Sequence, residues 1–199
     1  MIPTFPYPLI LASQSPRRIE LLNKIGLEFT VQPANIPEPA ASPNQNPIEY
    51  AQGLALGKAR AISKIFPDHL VIGADTVVVV GEQILGKPEN DIDARQMLNL
   101  LSNRWHSVTT AYAIVSTNHA FEHVSHQTTR VHFRAVDAAE ISHYIKTGSP
   151  FDKAGAYGIQ DYSAIFVDAI DGCFYNVVGL PLSHFVESLK FVSGQLRRA

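Results

Sequence analysis

The stretch His69 to Val80, reading HLVIGADTVVVV, constrains this chain more than any other. A run so rich in β-branched and aliphatic side chains reads as the central strand of a sheet. Asp75 interrupts it. An ionised carboxylate in such a strand costs several kcal/mol unless a cation or a metal compensates it, so Asp75 is expected either to function or to form a structural ion pair. With side chains alternating, Asp75 shares a face with Gly73 and Val77, and Thr76 points the other way. If both are to meet one ligand, the strand must be bent or bulged.

A second strand is expected at Leu9-Ile10-Leu11-Ala12, running through Ser13-Gln14-Ser15 into a helix. Ser15 is placed as its N-cap and Pro16 at its first position; Ile19, Leu22 and Ile25 form its apolar stripe and Gly26 ends it. Arg17 and Arg18 then sit at the positive end of the helix dipole, which they oppose by ~0.3–1 kcal/mol each. A bound anion, in particular a phosphate, would compensate them and use the free N–H groups; a solvated basic turn is the alternative.

Between Pro33 and Pro47 five prolines impose an irregular loop whose only acid is Glu38. The next helix is punctuated by Asn46, Pro47 and Glu49 at its start and by Pro67 beyond its end, and it carries Lys58 and Arg60. Gly53 to Ala59 imitates a phosphate-binding loop, but it is one residue short, lacks the Ser/Thr that holds magnesium, and lies inside a helix. Further on, Ile84 to Pro88 is expected as a short strand with Lys87 at its end. Asp91 or Asp93 opens a helix to about Leu101. Arg104–Ser116 and Phe121–Arg134 form an antiparallel pair. His119, His123, His126 and His132 match no metal-ligand spacing and are expected as exposed strand residues. Asp137 and Glu140 form a capping box for a helix that Gly148 closes. Phe151 to Asp161, with its two glycines, Lys153, Tyr157 and Gln160, suits a ligand loop; Lys153 there could reach a phosphate or pair with Asp152. Asp171-Gly172 predicts a hairpin between Ser163–Ile170 and Cys173–Val178. A last helix follows Pro181, with Arg197 and Arg198 as a frayed tail.

With 199 residues and 46% hydrophobic content, the chain is expected to form one domain over 1–199. A net charge of −2 gives no general attraction to nucleic acid or anionic membrane, so any affinity for phosphate must be local. The single cysteine, Cys173, excludes an internal disulfide. No apolar run approaches the ~18–20 residues needed to span a bilayer, and MIPTFPYP lacks the pattern of a secretory leader. A soluble cytoplasmic protein is expected.

Four segments, LASQSPRRIELL, GADTVVV with ILGKP, FDKAGAYGIQ and NVVGLPL, in this order and at these separations, resemble the Maf family of nucleoside triphosphate pyrophosphatases from about Leu9 to Val192. The resemblance implies an α/β fold, with a twisted mixed β-sheet flanked by helices and two lobes around a deep cleft. It also implies a homodimer, and hydrolysis of a nucleoside triphosphate to the monophosphate and pyrophosphate with a divalent cation, magnesium or manganese. It places phosphate binding on Ser13, Ser15, Arg17, Arg18, Lys58 and Lys87, catalysis on Asp75, and the metal on Asp75 and Glu38. Arg17, Thr76 and Gln160 match the substrate-specificity residues of the dTTP/UTP branch, whereas the methylguanosine triphosphate branch differs at the last two. Two departures stand out: Glu38 is a lone acid where the family often has a pair, and Asp161 follows Gln160 where glycine is commoner, a change expected to bear on the loop or the base pocket. A rival reading of the same resemblance is a nucleotide-binding regulator of septum formation.

Overall fold

The chain alternates strands and helices in the order β1 (Leu9–Leu11), α1 (Pro16–Lys24), β2 (Thr30–Val31), α2 (Pro47–Ser63), β3 (Leu70–Val80), β4 (Gln83–Leu85), α3 (Asp91–Leu101), β5 (Arg104–Ser116), β6 (Phe121–Phe133), α4 (Ala138–Lys146), β7 (Val167–Asp171), α5 (Phe174–Val178) and α6 (Leu182–Leu196). This computed structural model describes residues 3–197; Met1 and Ile2 of the N-terminal segment and Arg198 of the expected tail lie outside the described residues. The seven strands form one open mixed sheet in the order β2-β1-β3-β5-β6-β7, with β4 also paired to β3. β1 runs parallel to β2 and β3, whereas β4 and β5 run antiparallel to β3. The apolar run is therefore central, as its composition requires. No helix among the described residues is long and apolar enough to cross a membrane.

Local chemistry explains most boundaries. Asn46 caps α2 by accepting from the N–H groups of Ile48 and Glu49, and Asp137 with Glu140 completes the capping box of α4. α3 is capped by Asn90, not by the aspartates after it: its side chain accepts from Ile92 and Asp93 N–H, leaving Asp91 and Asp93 in the first turn, where their charge suits the dipole. Ser15 occupies the cap position of α1 but its hydroxyl makes no capping bond.

The hairpin expected around Asp171-Gly172 does not form. Val167–Asp171 pairs with β6, and Gly172 turns the chain with φ 128°, but the residues that follow become the helix α5. The reason is Asn176. Fully buried, it accepts from Thr110 N–H and donates to the Val108 carbonyl, so a side-chain amide satisfies groups of β5 from above the sheet. An apolar alternation near a turn signal reads as a strand, and tertiary polar contacts override it.

Two apolar cores lie on one face of the sheet at opposite ends of the same strands. One gathers Leu70, Ile72 and Ala74 of β3 with Leu21, Leu22, Phe185 and Leu189. The other gathers Val78 and Val80 with Leu98, Leu101, Ile141 and Tyr144. Between them runs a polar belt: the Thr76 and Thr110 hydroxyls lie 2.9 Å apart, and Thr110 donates to the Asn176 carbonyl at 2.8 Å. The opposite face is covered by α2, whose Ala55 and Ala59 press onto β3; a Cβ on Gly73 would stand only 2.2 Å from the Ala55 carbonyl oxygen.

The belt coincides with a gap in the sheet. β1 pairs with β3 at Leu70–Ile72 and β4 pairs with the same edge at Val78–Val80, so Gly73 to Val77 have no strand beside them on that side. On the other side β3 is paired to β5 without a bulge from Val71 to Val79.

Candidate active site

The gap opens into a cavity of about 570 Å³ walled by the β1–α1 turn, the proline-rich loop, α2, the end of β4 and the segment 152–160. Asp75 and Thr76 both line it. The expectation that β3 must bend or bulge to bring them to one ligand is thus corrected: the strand stays regular, and its uncovered edge lets one cavity reach side chains of both faces. Leu70 donates to the Pro8 carbonyl and Ile72 accepts from Ala12 N–H on this edge. By strand alternation, the N–H and C=O groups of Ala74 and Thr76 point the same way, into the gap.

Asp75 is nearly buried, and its carboxylate accepts a 2.6 Å hydrogen bond from Lys58 Nζ. The same ammonium lies 2.7 Å from a carboxylate oxygen of Glu38. Lys58 comes from α2, one helical position before the Ala59 that touches β3, so the close approach allowed by Gly73 is also what brings lysine to aspartate. Tyr50, on the same helix, fixes the proline-rich loop by donating to the Pro39 carbonyl at 2.8 Å, beside Glu38. Burial pushes the Glu38 carboxyl up, but the hydrogen bond and charge of Lys58, with Lys87 and Arg18 behind, outweigh it and hold it below its usual range.

The two arginines divide their work. Arg18 Nε donates to the Gly179 carbonyl, and its terminal nitrogens reach Ser13 Oγ at 3.3 Å and Thr76 Oγ1 at 3.0 Å, all neutral acceptors. Burial lowers its pKa, an effect that the charge of Asp75 opposes. Ser13 also accepts from Ser15 N–H, tightening the turn. Arg17 instead pairs with Asp152 Oδ2 at 2.9 Å. Lys87 is exposed on the cavity rim, and no hydrogen bond or ion pair holds its ammonium among the described residues. Gln160 is likewise exposed at the cavity.

All the residues singled out from the sequence, Ser13, Ser15, Arg17, Arg18, Glu38, Lys58, Asp75, Thr76, Lys87 and Gln160, line this one cavity. Lys153 does not point at it as a free cation: its ammonium bonds Asp152, Asp161 and Ser149. His119 lies in the turn between β5 and β6, not in a strand, and none of the four histidines is exposed as expected: all are half-buried, with Gln52 beside His126, Ser188 beside His123 and Asp168 beside His132. Asp152 and Tyr50 also line the cavity; the sequence offers Asp152 only as a partner for Lys153 and carries no signal for Tyr50.

Asp75 and Glu38 present carboxylate oxygens to a single point, now held by an ammonium. That donor set fits a hard divalent cation, which commonly takes one or two carboxylates and completes its shell with phosphate oxygens and water.

Fold and cavity together define an α/β protein built to hold a polyanion against a buried carboxylate. Residues 8–192 match the family described as Maf-like protein, and the chain belongs to that family. A dTTP/UTP pyrophosphatase of Moorella thermoacetica is 47% identical over 181 residues, 91% of this chain and 93% of that protein. Another of the same name, from Desulforamulus reducens, is 44% identical over 183 residues, 92% of this chain and 95% of that protein. The solved structure of the Staphylococcus aureus Ham1 protein overlaps 63% of this chain and 71% of its own at 19% identity, with a TM-score of 0.44.

Proposed function

We propose that this chain hydrolyses dTTP and UTP to the nucleoside monophosphate and pyrophosphate. The observation that carries the reading is the buried Asp75 at the uncovered edge of β3, in a cavity that Arg17, Arg18, Lys58 and Lys87 also line. The relatives named above, alike over nearly their whole length, support the substrate class.

A triphosphate carries nearly four negative charges, and cleavage between the α and β phosphorus atoms adds charge to the leaving pyrophosphate. Neutralising and positioning that charge is most of the catalytic task. Arg18, already oriented by three neutral acceptors, offers the phosphates a guanidinium with no competing carboxylate on it. Lys87 adds a free ammonium, and Arg17, which spends only one terminal nitrogen on Asp152, has further N–H groups for a phosphate oxygen. The Asp75 carboxylate orients a water for attack on the α phosphorus and takes its proton as the new P–O bond forms and the bond to the bridging oxygen breaks. Lys58 holds that carboxylate in place. When bound, a divalent cation held by Asp75 and Glu38 supplies further charge neutralisation at the phosphate oxygens.

Gln160 can offer one acceptor and one donor, which matches the N3–H and O4 edge shared by thymine and uracil. The test is a panel of nucleoside triphosphates with magnesium or manganese, assayed for pyrophosphate and orthophosphate. Pyrophosphate released fastest from dTTP and UTP is expected. Orthophosphate alone, or tight binding without release, would refute the proposal.

A further inference from the structure

Gln160 has no side-chain hydrogen bond among the described residues, so its aim depends on the backbone around it, and that backbone is wrapped round a buried lysine. Lys153 is 9% exposed. Its ammonium meets the Ser149 carbonyl at 2.6 Å, Asp152 Oδ1 at 2.6 Å and Asp161 Oδ2 at 3.0 Å. With the Ser149 hydroxyl oxygen at 3.1 Å as a fourth contact, the acceptors occupy all three of its protons and leave none for a phosphate. Its methylene stem crosses Gly158, where a Cβ would fall 2.6 Å from Lys153 Cε.

Asp161 closes the wrap. Oδ1 accepts from the N–H and hydroxyl of Ser163, at 3.2 and 2.6 Å, and Oδ2 accepts from the Ser149 hydroxyl at 2.9 Å as well as facing Lys153. The Ser163 hydroxyl oxygen in turn accepts from the Gly158 N–H at 3.0 Å. The backbone is therefore pinned at Gly158 and at Asp161, immediately on either side of Ile159-Gln160. Burial pushes the Asp161 carboxyl up, but the hydrogen bonds from Ser163, Lys153 and Ser149 and the charge of Lys153 hold it below its usual range. The other oxygen of Asp152 holds Arg17, so an unbroken line Asp161–Lys153–Asp152–Arg17 joins this segment to the first turn of α1.

We infer that Asp161 is a specificity-determining positioning residue: with Lys153 it fixes the peptide that presents Gln160 to the base, and through Asp152 it links that peptide to Arg17. This rests on the proposed base-reading role of Gln160. Asp161 therefore does not perturb the loop as an intruder; it is part of what shapes it.

The test is Asp161→Asn, which keeps an acceptor for Ser163 and turns a donor toward the Lys153 ammonium. The UTP-over-ATP ratio of kcat/KM is expected to fall about tenfold, mainly through a higher KM for UTP, with kcat within about threefold of the parent. Lys153→Met should act likewise, and the double variant should lose no more than either single one, as for two residues of one strut. Should Asp161→Asn fail to fold, Ser149→Ala removes one bond from the same carboxylate oxygen and should lower the ratio in the same direction. Unchanged selectivity in a folded Asp161→Asn protein, where Gln160→Ala has lost it, overturns the inference and leaves the base-reading role standing. A parent enzyme with no preference for UTP over ATP would overturn both.

Discussion

Replacing Gly73 by alanine tests whether the contact of α2 with β3 sets the geometry of the site. The added Cβ would lie 2.2 Å from the Ala55 carbonyl oxygen, 2.8 Å from Ala59 N and 3.0 Å from Ala59 Cβ. The two closest obstacles are main-chain atoms, which no rotamer change can clear. Contact at a normal separation of roughly 3.3–3.5 Å requires α2 to withdraw by about 1 Å. Overpacking of this kind costs about 1–3 kcal/mol, and backbone obstacles put Gly73→Ala at the upper end. For a chain of this length that lowers the Tm by about 6–12 °C. Lys58 rides on the displaced helix and Asp75 on the strand it leaves, so their 2.6 Å contact lengthens or the lysine re-aims. A misplacement of about 1 Å near the chemistry can cost about a hundredfold in rate, and a loss of at least tenfold in kcat is expected. Gly53→Ala is the control: it lies on the exposed side of the same helix with nothing within 4 Å, and should leave the Tm unchanged or raise it slightly. Thermal unfolding by circular dichroism and steady-state turnover of UTP read both quantities. A Gly73→Ala protein melting within 2 °C of the parent and turning over within about twofold would refute the reasoning.

Three other outcomes follow from the site and its supports. Asp75→Asn should lose about two to four orders of magnitude in turnover while keeping the circular dichroism spectrum, since Lys58 retains Glu38 as a partner; full activity would remove the carboxylate from the mechanism. For Gln160→Ala, preference for UTP over ATP should fall more than kcat does, and a nucleotide profile identical to the parent's would refute the base-reading role. His106, 3% exposed and sharing a 2.7 Å hydrogen bond with Tyr157, has its pKa pushed down to about 4, first by burial and then by His132. The unfolded chain takes up that proton first, near pH 6.5, so the stability from keeping His106 neutral is complete above 6.5 and declines as pH falls toward 4. By pH 4.5 the loss is about 2–3 kcal/mol, and urea unfolding at pH 7 and 4.5 should show it in the parent but not in His106→Gln.

What could be read before folding divides by the range of the interaction. Asn46, the Asp137–Glu140 box and the run 70–80 act within one element, and each appears where composition and spacing place it. The ten candidate site residues were legible as residues, through motifs, but not as partners. Nothing in the spacing of Lys58 and Asp75 says that the lysine will sit on the aspartate instead of standing free, because that depends on Gly73 letting a helix settle onto a strand. The hairpin at Asp171-Gly172 failed for the same reason. Asn176 finds its partners on β5, 66 residues earlier in the chain, and no local pattern carries that information. The strand expected to distort around Asp75 and Thr76 stays straight because its neighbours stop short, a property of β1 and β4.

The regularity of β3 and β5 has a mechanical consequence. The two apolar cores resemble the halves of a hinge, yet between them runs no linker, only strands of 11 to 13 residues laced to each other on both sides of the polar belt. Bending the molecule at the belt would tear a sheet at its middle. Any movement that admits a nucleotide and expels its products must come from the peripheral walls, the proline-rich loop and the 149–161 wrap, while the floor stays rigid. Amides along the centre of β5 should therefore exchange with solvent as slowly as those at its ends, and the ligand-dependent changes in exchange should fall on the walls alone.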